Sequence, residues 1–151
     1  MLIGIPNILG PDLLYTLRAM GHGDEIALVD GNYPAQEHAR RLVRADGLGL
    51  LPLLKAILAV TPLDRDSHPV FRAAPANDPM RTSPFHQSID ELCFRLGQGA
   101  IARPLPADEL YTRIRAAHTI VATSESALFA NVILRKGVVG PYLISDLPQG
   151  L

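Results

Sequence analysis

The chain has 151 residues, 48% of them apolar and 19% charged, with 14 basic against 15 acidic side chains. We read residues 1–151 as a single globular domain, large enough to bury about two-thirds of its unfolded surface. The balanced charge leaves no electrostatic footprint for nucleic acid or an anionic membrane surface.

No basic n-region of a signal peptide precedes Arg18, and the longest apolar run, residues 47–54, is far short of a bilayer span. A lone cysteine, Cys93, allows no intrachain disulfide and suits a reducing compartment, so the expected location is the cytoplasm. Gly10-Pro11-Asp12 opens the first helix, with Pro11 in its first turn. Leu13, Leu14, Leu17 and Met20 share one face of it, and Gly21 stands where a C-cap glycine belongs. Residues 25–29 read as a short buried strand, followed by the turn Gly31-Asn32-Tyr33-Pro34. Residues 40–44 suit a second strand, although the segment from Glu37 to Arg44 suits a helix equally well by propensity.

Leu50, Leu51, Leu54, Ile57 and Leu58 predict a mostly buried helix over about residues 50–60. Residues 70–73 suggest a strand and 74–79 a loop. Ser83-Pro84 then caps a helix that carries Phe85, Ile89, Leu92 and Leu96 at helical spacing and ends at Gly97. Residues 101–103 read as a short strand, and Pro106 starts a helix with Leu110 and Ile114 facing inward. Two further strands, 119–122 and 131–134, flank the polar turn Thr123-Ser124-Glu125-Ser126. The tail from Gly140 onward is expected to cross the surface or a neighbouring subunit. Strands and helices that alternate in this way predict an α/β layered sheet.

Two clusters could carry chemistry. In Met20-Gly21-His22-Gly23-Asp24-Glu25-Ile26 a histidine stands between two glycines, without bulky neighbours, before a strand that ends at Asp30. Histidine titrates near neutrality and can take and return a proton. His22 and Asp30 lie on either side of the strand, so they meet only through a fold-back or across a subunit interface. The second cluster is Thr123-x-Glu125 with Phe129-Ala130-Asn131 before the last strand, a junction that either lines a site or simply closes a hairpin-like turn.

Other chemistries find little support. His38, His68, His86 and His118 share no metal-ligand spacing with each other or with Cys93, and read as structural or surface residues. Ser124 and Ser126 lack a nucleophile-elbow context. Gly21-x-Gly23 lacks the third glycine and the helix of a dinucleotide fingerprint.

The chain resembles one family, the sugar mutarotases and pyranases that include D-ribose pyranase and L-fucose mutarotase, and the fucose branch most closely. The resemblance rests on the His22 segment, Asp30 with Tyr33-Pro34-Ala35, Arg44-Ala45-Asp46-Gly47, and Thr123-x-Glu125 through Asn131-Val132-Ile133-Leu134-x-Lys136-Gly137-Val138. These segments lie in order between residues 12 and 138. The resemblance implies a single-domain, three-layer α/β/α fold with a mixed central sheet. It also implies a decameric ring in which a neighbouring subunit completes each site, and chemistry on the anomeric carbon of a free monosaccharide without metal or other cofactor. By position, His22 matches the catalytic histidine, Asp30 the sugar-binding aspartate, and Asn131 the asparagine that contacts sugar hydroxyls. Phe129 would offer an apolar face, Asp24 would hold the His22 tautomer, and Glu125 would support the site.

Three departures thin the polar inventory. Phe129 stands where the family has tyrosine, Asn32 where the fucose branch has a histidine, and Ala107 where a basic residue is expected, with Arg103 the nearest substitute. The expected activity is therefore mutarotation of a fucose-like sugar by acid/base ring opening, and the alternative is a monosaccharide-binding protein without turnover.

Overall fold

The computed structural model describes residues 1–141. Its elements are α1 (Pro11–Ala19), β1 (Glu25–Val29), α2 (Ala35–His38), β2 (Leu42–Ala45), α3 (Leu50–Leu58), β3 (Val70–Ala73), α4 (Pro84–Leu96), β4 (Arg103–Leu105), α5 (Ala107–Ala116), β5 (Thr119–Thr123) and β6 (Val132–Arg135). A 3₁₀ turn, Pro75–Asn77, follows β3. The strands form one sheet in the order β2–β5–β1–β6–β3–β4. β1 runs parallel to β5 and antiparallel to β6, and β6 is antiparallel to β3. β2 and β4 add as parallel edges. Five strands therefore share one direction and β6 alone opposes them.

Alternation along the strands divides the core into two layers. Ile26, Leu28, Val121, Val132 and Leu134 face one side and pack with Leu13 and Leu17 of α1, Leu53, Leu54 and Ile57 of α3, and Ile89 and Cys93 of α4. Ala27, Val29, Ile120, Ala122 and Ile133 face the other side, where they meet Ala35 of α2 and Leu110 and Ile114 of α5. This is the three-layer α/β/α arrangement with a mixed sheet. Burial of Cys93 pushes its thiol up to about 12, which leaves it a packing residue.

Several boundaries differ from the sequence reading. Gly21 does not take the left-handed C-cap conformation: the chain leaves α1 through an extended Met20, and Gly23 has the positive φ, +84°. The ambiguous segment resolves as both alternatives in succession, Glu37 and His38 in α2 and Leu42 to Arg44 in β2. Residues 119–123 and 132–135 form no hairpin, because β1 lies between them and pairs with both. The last three-residue strand begins at Arg103, not 101, and holds Pro104 on the sheet edge, where its missing N–H costs no ladder bond. Beyond residue 141, the expectation for the tail lies outside the described residues.

After β6 the chain closes onto the segment before β3. Asp64 N–H donates to the Arg135 carbonyl at 3.0 Å, and Gly137 N–H donates to the Pro62 carbonyl at 2.8 Å. This approach requires glycine at 137, since a Cβ there would stand 2.3 Å from the Leu63 carbonyl oxygen. Gly137→Ala is expected to lower stability by roughly 1–3 kcal/mol, as overpacking does. Gly140→Ala, where the added Cβ meets nothing within 4 Å, is the control, and thermal or denaturant unfolding of the two variants checks the difference.

Candidate functional site

With one strand reversed, the carboxyl ends of β1, β3, β4 and β5 and the amino end of β6 lie along the same edge of the sheet. Open α/β sheets bind ligands beyond such carboxyl ends. Here that edge holds a cavity of about 190 Å³, contributed to by Asp30 after β1, Ala73 and Ala74 at β3, Leu105 of β4, and Phe129 and Asn131 before β6. Ala107, Leu110 and Tyr111 of α5 close one side, with Tyr33 and Asn77.

Asp30 and Asn131, both buried, share reciprocal hydrogen bonds. Asp30 N–H donates to Asn131 Oδ1 at 3.1 Å, and Asn131 Nδ2 donates to Asp30 Oδ2 at 3.2 Å. The backbone donor fixes which end of the amide is oxygen, so the N–H₂ must face the carboxylate. One amide proton and the remaining carboxylate lone pairs stay available to a ligand. Asn32 N–H donates to Asp30 Oδ1 at 3.0 Å, an Asx turn that aims the carboxylate. Asp30 is the one charged side chain among the described residues that line the cavity.

The aromatic side is also organised. The Tyr33 and Tyr111 rings meet edge to face at 4.9 Å. Arg115 donates to His38 Nε2 at 3.0 Å, so the ring proton lies on Nδ1 and donates to the Tyr33 hydroxyl at 2.9 Å. Burial, with the neighbouring Tyr111, pushes the Tyr33 phenol up to about 12 and keeps it protonated. Phe129 is 40% exposed at the rim, in the left-handed region at φ +57°.

The other expected residues take different places. His22 stands before the opposite end of β1, so a five-residue strand at about 3.3 Å per residue separates it from Asp30 by roughly 17 Å. Its Nε2 lies 3.2 Å from Asp64 Oδ1. Asp64 can only accept, so neutral His22 carries its proton on Nε2 and leaves the Nδ1 lone pair free. The Asp66 N–H and the Arg135 guanidinium, at 3.0 and 2.7 Å, hold the Asp64 carboxyl well below the usual carboxylate range. His22, Asp64 and Asp66 bring their ligand atoms within 4.8 Å of one another, but Arg135 already balances the charge of Asp64.

Asp24 does not hold the imidazole. Its Oδ2 accepts from Gly21 N–H at 2.8 Å and shapes the turn that carries His22, while Asp64 takes the role expected of Asp24. Glu125 acts away from the cavity: Oε2 accepts from Leu50 N–H at the start of α3, and Oε1 from Ser126 and Ala127 N–H. Its carbonyl accepts from Gly31 N–H at 2.8 Å, which ties the crossing loop to the residue after Asp30. Arg103 opens onto a separate cleft with Asp108 and Arg113 and supplies no cation to the Asp30 cavity. At Ala107, the backbone N–H donates to Asn77 Oδ1 at 2.6 Å, so a loop residue caps α5.

Asp64, Asn77 and the hydrogen bonds that link Tyr33, His38 and Arg115 have no counterpart in the sequence reading, which takes His38 and His86 as structural or surface residues. Tyr33 carried a signal, three residues after Asp30 in a turn. Asp64 carried none, because only the clasp between residues 62–64 and 135–137 brings it to His22.

Residues 3–139 match the model of the RbsD / FucU transport protein family. The fucose mutarotase of Danio rerio is 38% identical over 148 residues, covering 93% of this chain and 96% of that protein. The crystal structure of the fucose mutarotase in complex with L-fucose from Streptococcus pneumoniae superposes with a TM-score of 0.83 at 37% identity, covering 92% of this chain and 100% of that one. Bacillus subtilis RbsD complexed with D-ribose shares the fold at 20% identity, with a TM-score of 0.69 and coverage of 87% and 95%. On this match along nearly its whole described length, the chain belongs to the RbsD / FucU family.

Proposed function

We propose that this protein is a sugar mutarotase, an isomerase that interconverts the α and β anomers of a free, fucose-like monosaccharide. The observation that carries the reading is the reciprocally bonded Asp30–Asn131 pair in a small cavity where, among the described residues, Asp30 is the one charged side chain. The 190 Å³ cavity is smaller than the about 300–1,000 Å³ of drug-sized sites and suits one sugar ring. The similarity to fucose mutarotases supports the same assignment.

In this reading Asp30 accepts from sugar hydroxyls, Asn131 donates to one, and Phe129 packs its ring on an apolar edge of the sugar. His22 of a neighbouring subunit completes the site, because no chain can bring its own His22 to its own Asp30. The Nδ1 lone pair takes the proton of the anomeric hydroxyl. The electron pair left on that oxygen forms the carbonyl, the bond from C1 to the ring oxygen breaks, and the ring oxygen takes the proton back from the imidazolium. Rotation about C1–C2 and reclosure on the other face give the second anomer. Proton and electrons balance within sugar and imidazole, so no cofactor enters. The assembly is a homo-oligomer, a decamer by family resemblance, of single-domain subunits. Among the described residues no helix is long and apolar enough to cross a membrane, and with a buried free thiol we place the protein in the cytoplasm.

A second reading, sugar binding without turnover, draws on the phenylalanine at 129 and the alanine at 107, which leave the cavity without a phenol or a cation at those positions.

Saturation-transfer NMR of L-fucose anomer exchange tests the catalytic roles. His22→Ala is expected to slow exchange at least about tenfold, the low end of general acid/base effects. Asp64→Asn is expected to cost a comparable factor, because an amide N–H facing Nε2 moves the ring proton to Nδ1. Light scattering should show both variants assembled like the wild type, and a wild-type monomer at micromolar concentration would remove the shared site.

Anomer exchange with and without the wild-type protein separates the two readings, and Phe129→Tyr tests whether the missing hydroxyl limits the rate. A hydroxyl restored beside the sugar contributes about 0.5–1.5 kcal/mol, so the expected outcome is a several-fold faster exchange. A variant with no gain and a lower Tm would show that the pocket is adapted to a less polar substrate.

A further inference from the structure

His86 is buried in α4 and, among the described residues, makes no hydrogen bond to the side chains assigned to proton transfer or sugar binding, yet it reaches the backbone of the segment that carries two of them. Its Nε2 lies 2.9 Å from the Phe129 carbonyl oxygen, across 43 residues of sequence. Its Nδ1 lies 2.7 Å from Ser83 Oγ, the N-cap of α4.

These two partners fix the ring. A carbonyl only accepts, so Nε2 bears the proton and donates to Phe129. The remaining lone pair on Nδ1 then accepts from the Ser83 hydroxyl. Ser83 Oγ in turn accepts His86 N–H at 3.3 Å, which uses the hydroxyl as both donor and acceptor. The nearest charges are already spent on each other: Arg72 of β3 donates to both Asp90 oxygens, at 2.6 and 2.9 Å. Burial first, with Arg72 adding, holds the imidazole pKa below its ordinary value, while the bond to the Phe129 carbonyl and the Asp90 carboxylate oppose the shift.

Phe129 needs such a hold. A φ of +57° is uncommon for a residue with a Cβ and is kept only where the surroundings fix it. The Asn131 end of the turn is held by the Ala73 N–H on its carbonyl and by the bonds to Asp30. At the Phe129 end, among the described residues, the side-chain contact that fixes the backbone is His86.

We propose that His86 is a positioning residue of the sugar pocket: its Nε2–H pins the Phe129 carbonyl, and this fixes the left-handed turn that presents the Phe129 ring and the Asn131 amide to the same sugar. The inference rests on the mutarotase reading for its kinetic consequence, and on geometry alone for its structural one.

His86→Gln and His86→Phe test it in the full-length protein. Glutamine can place an amide N–H at the reach of Nε2, whereas phenylalanine keeps the ring volume without a donor. For L-fucose exchange followed by NMR, His86→Phe is expected to raise KM about fivefold or more with kcat less affected, in keeping with the loss of one hydrogen bond that orders the pocket. Hydrogen exchange by mass spectrometry should show faster exchange of residues 127–133, with the protection of α4 retained. His86→Gln should stay within about twofold of the wild type on both readouts.

Wild-type KM and wild-type protection of residues 127–133 in His86→Phe would overturn the proposal, as would a glutamine variant as impaired as the phenylalanine one. If His86→Phe does not fold, Ser83→Ala replaces it: freeing the ring to flip should loosen residues 127–133, and unchanged protection there overturns the proposal. A wild type that exchanges no sugar anomers defeats the mutarotase reading, while the hydrogen-exchange comparison still decides the role of His86.

Discussion

β6 runs against β1, and the antiparallel register brings the residue before β6 beside the residue after β1. Leu28 pairs with Val132, so Asn131 and Asp30 fall at the same end of the sheet, one hydrogen bond apart. In a parallel pairing Asn131 would lie at the opposite end, beside His22. The reversal also forces the chain to cross over the end of β1 between residues 124 and 131. That crossing loop is costly unless its backbone groups are satisfied, and Glu125, Thr123 and His86 satisfy them from three directions. The cavity is the space left beneath the crossing.

The other end of β1 obeys a separate constraint. The clasp of residues 62–64 against 135–137 relies on backbone bonds and on the absence of a side chain at 137. It delivers a buried carboxylate to a histidine that is itself 44% exposed. A buried acceptor with an exposed imidazole suits a proton carrier that works outward, toward whatever packs on that face. The aimed carboxylate at one end and the oriented imidazole at the other share no atoms and no hydrogen bonds, so each can be tuned without disturbing the other.

Much of the fold was legible because it depends on local signals. Pro11, Ser83-Pro84 and the apolar spacing of α3 and α5 mark helices whose faces the structure confirms to within a residue or two. Sheet order was not legible, since nothing in residues 119–134 says that β1 will come between β5 and β6. That one missing fact explains the hairpin that does not exist. It also hid the physical link between Asp30 and Asn131, two positions the resemblance had already marked. The misplaced support for His22 has a similar origin: Asp24 is close in sequence, whereas Asp64 arrives through a long-range clasp. His86 reads as structural or surface because it shares no metal-ligand spacing with the other histidines or Cys93, and its partner, the Phe129 carbonyl, lies 43 residues away in sequence.

The length of β1 has a consequence for inheritance and assembly. Under the shared-site reading, each chain lends its histidine to one site and its pocket to another, and a closed ring of such contacts has as many sites as chains. A chain damaged at only one end then spoils a single site and still serves its neighbour with the end that is intact. Two alleles, one defective in the imidazole and one in the pocket, would therefore regain working sites wherever the intact histidine of one chain meets the intact pocket of the other. A lesion in the sheet that joins the two ends has no such remedy, because it removes both contributions together.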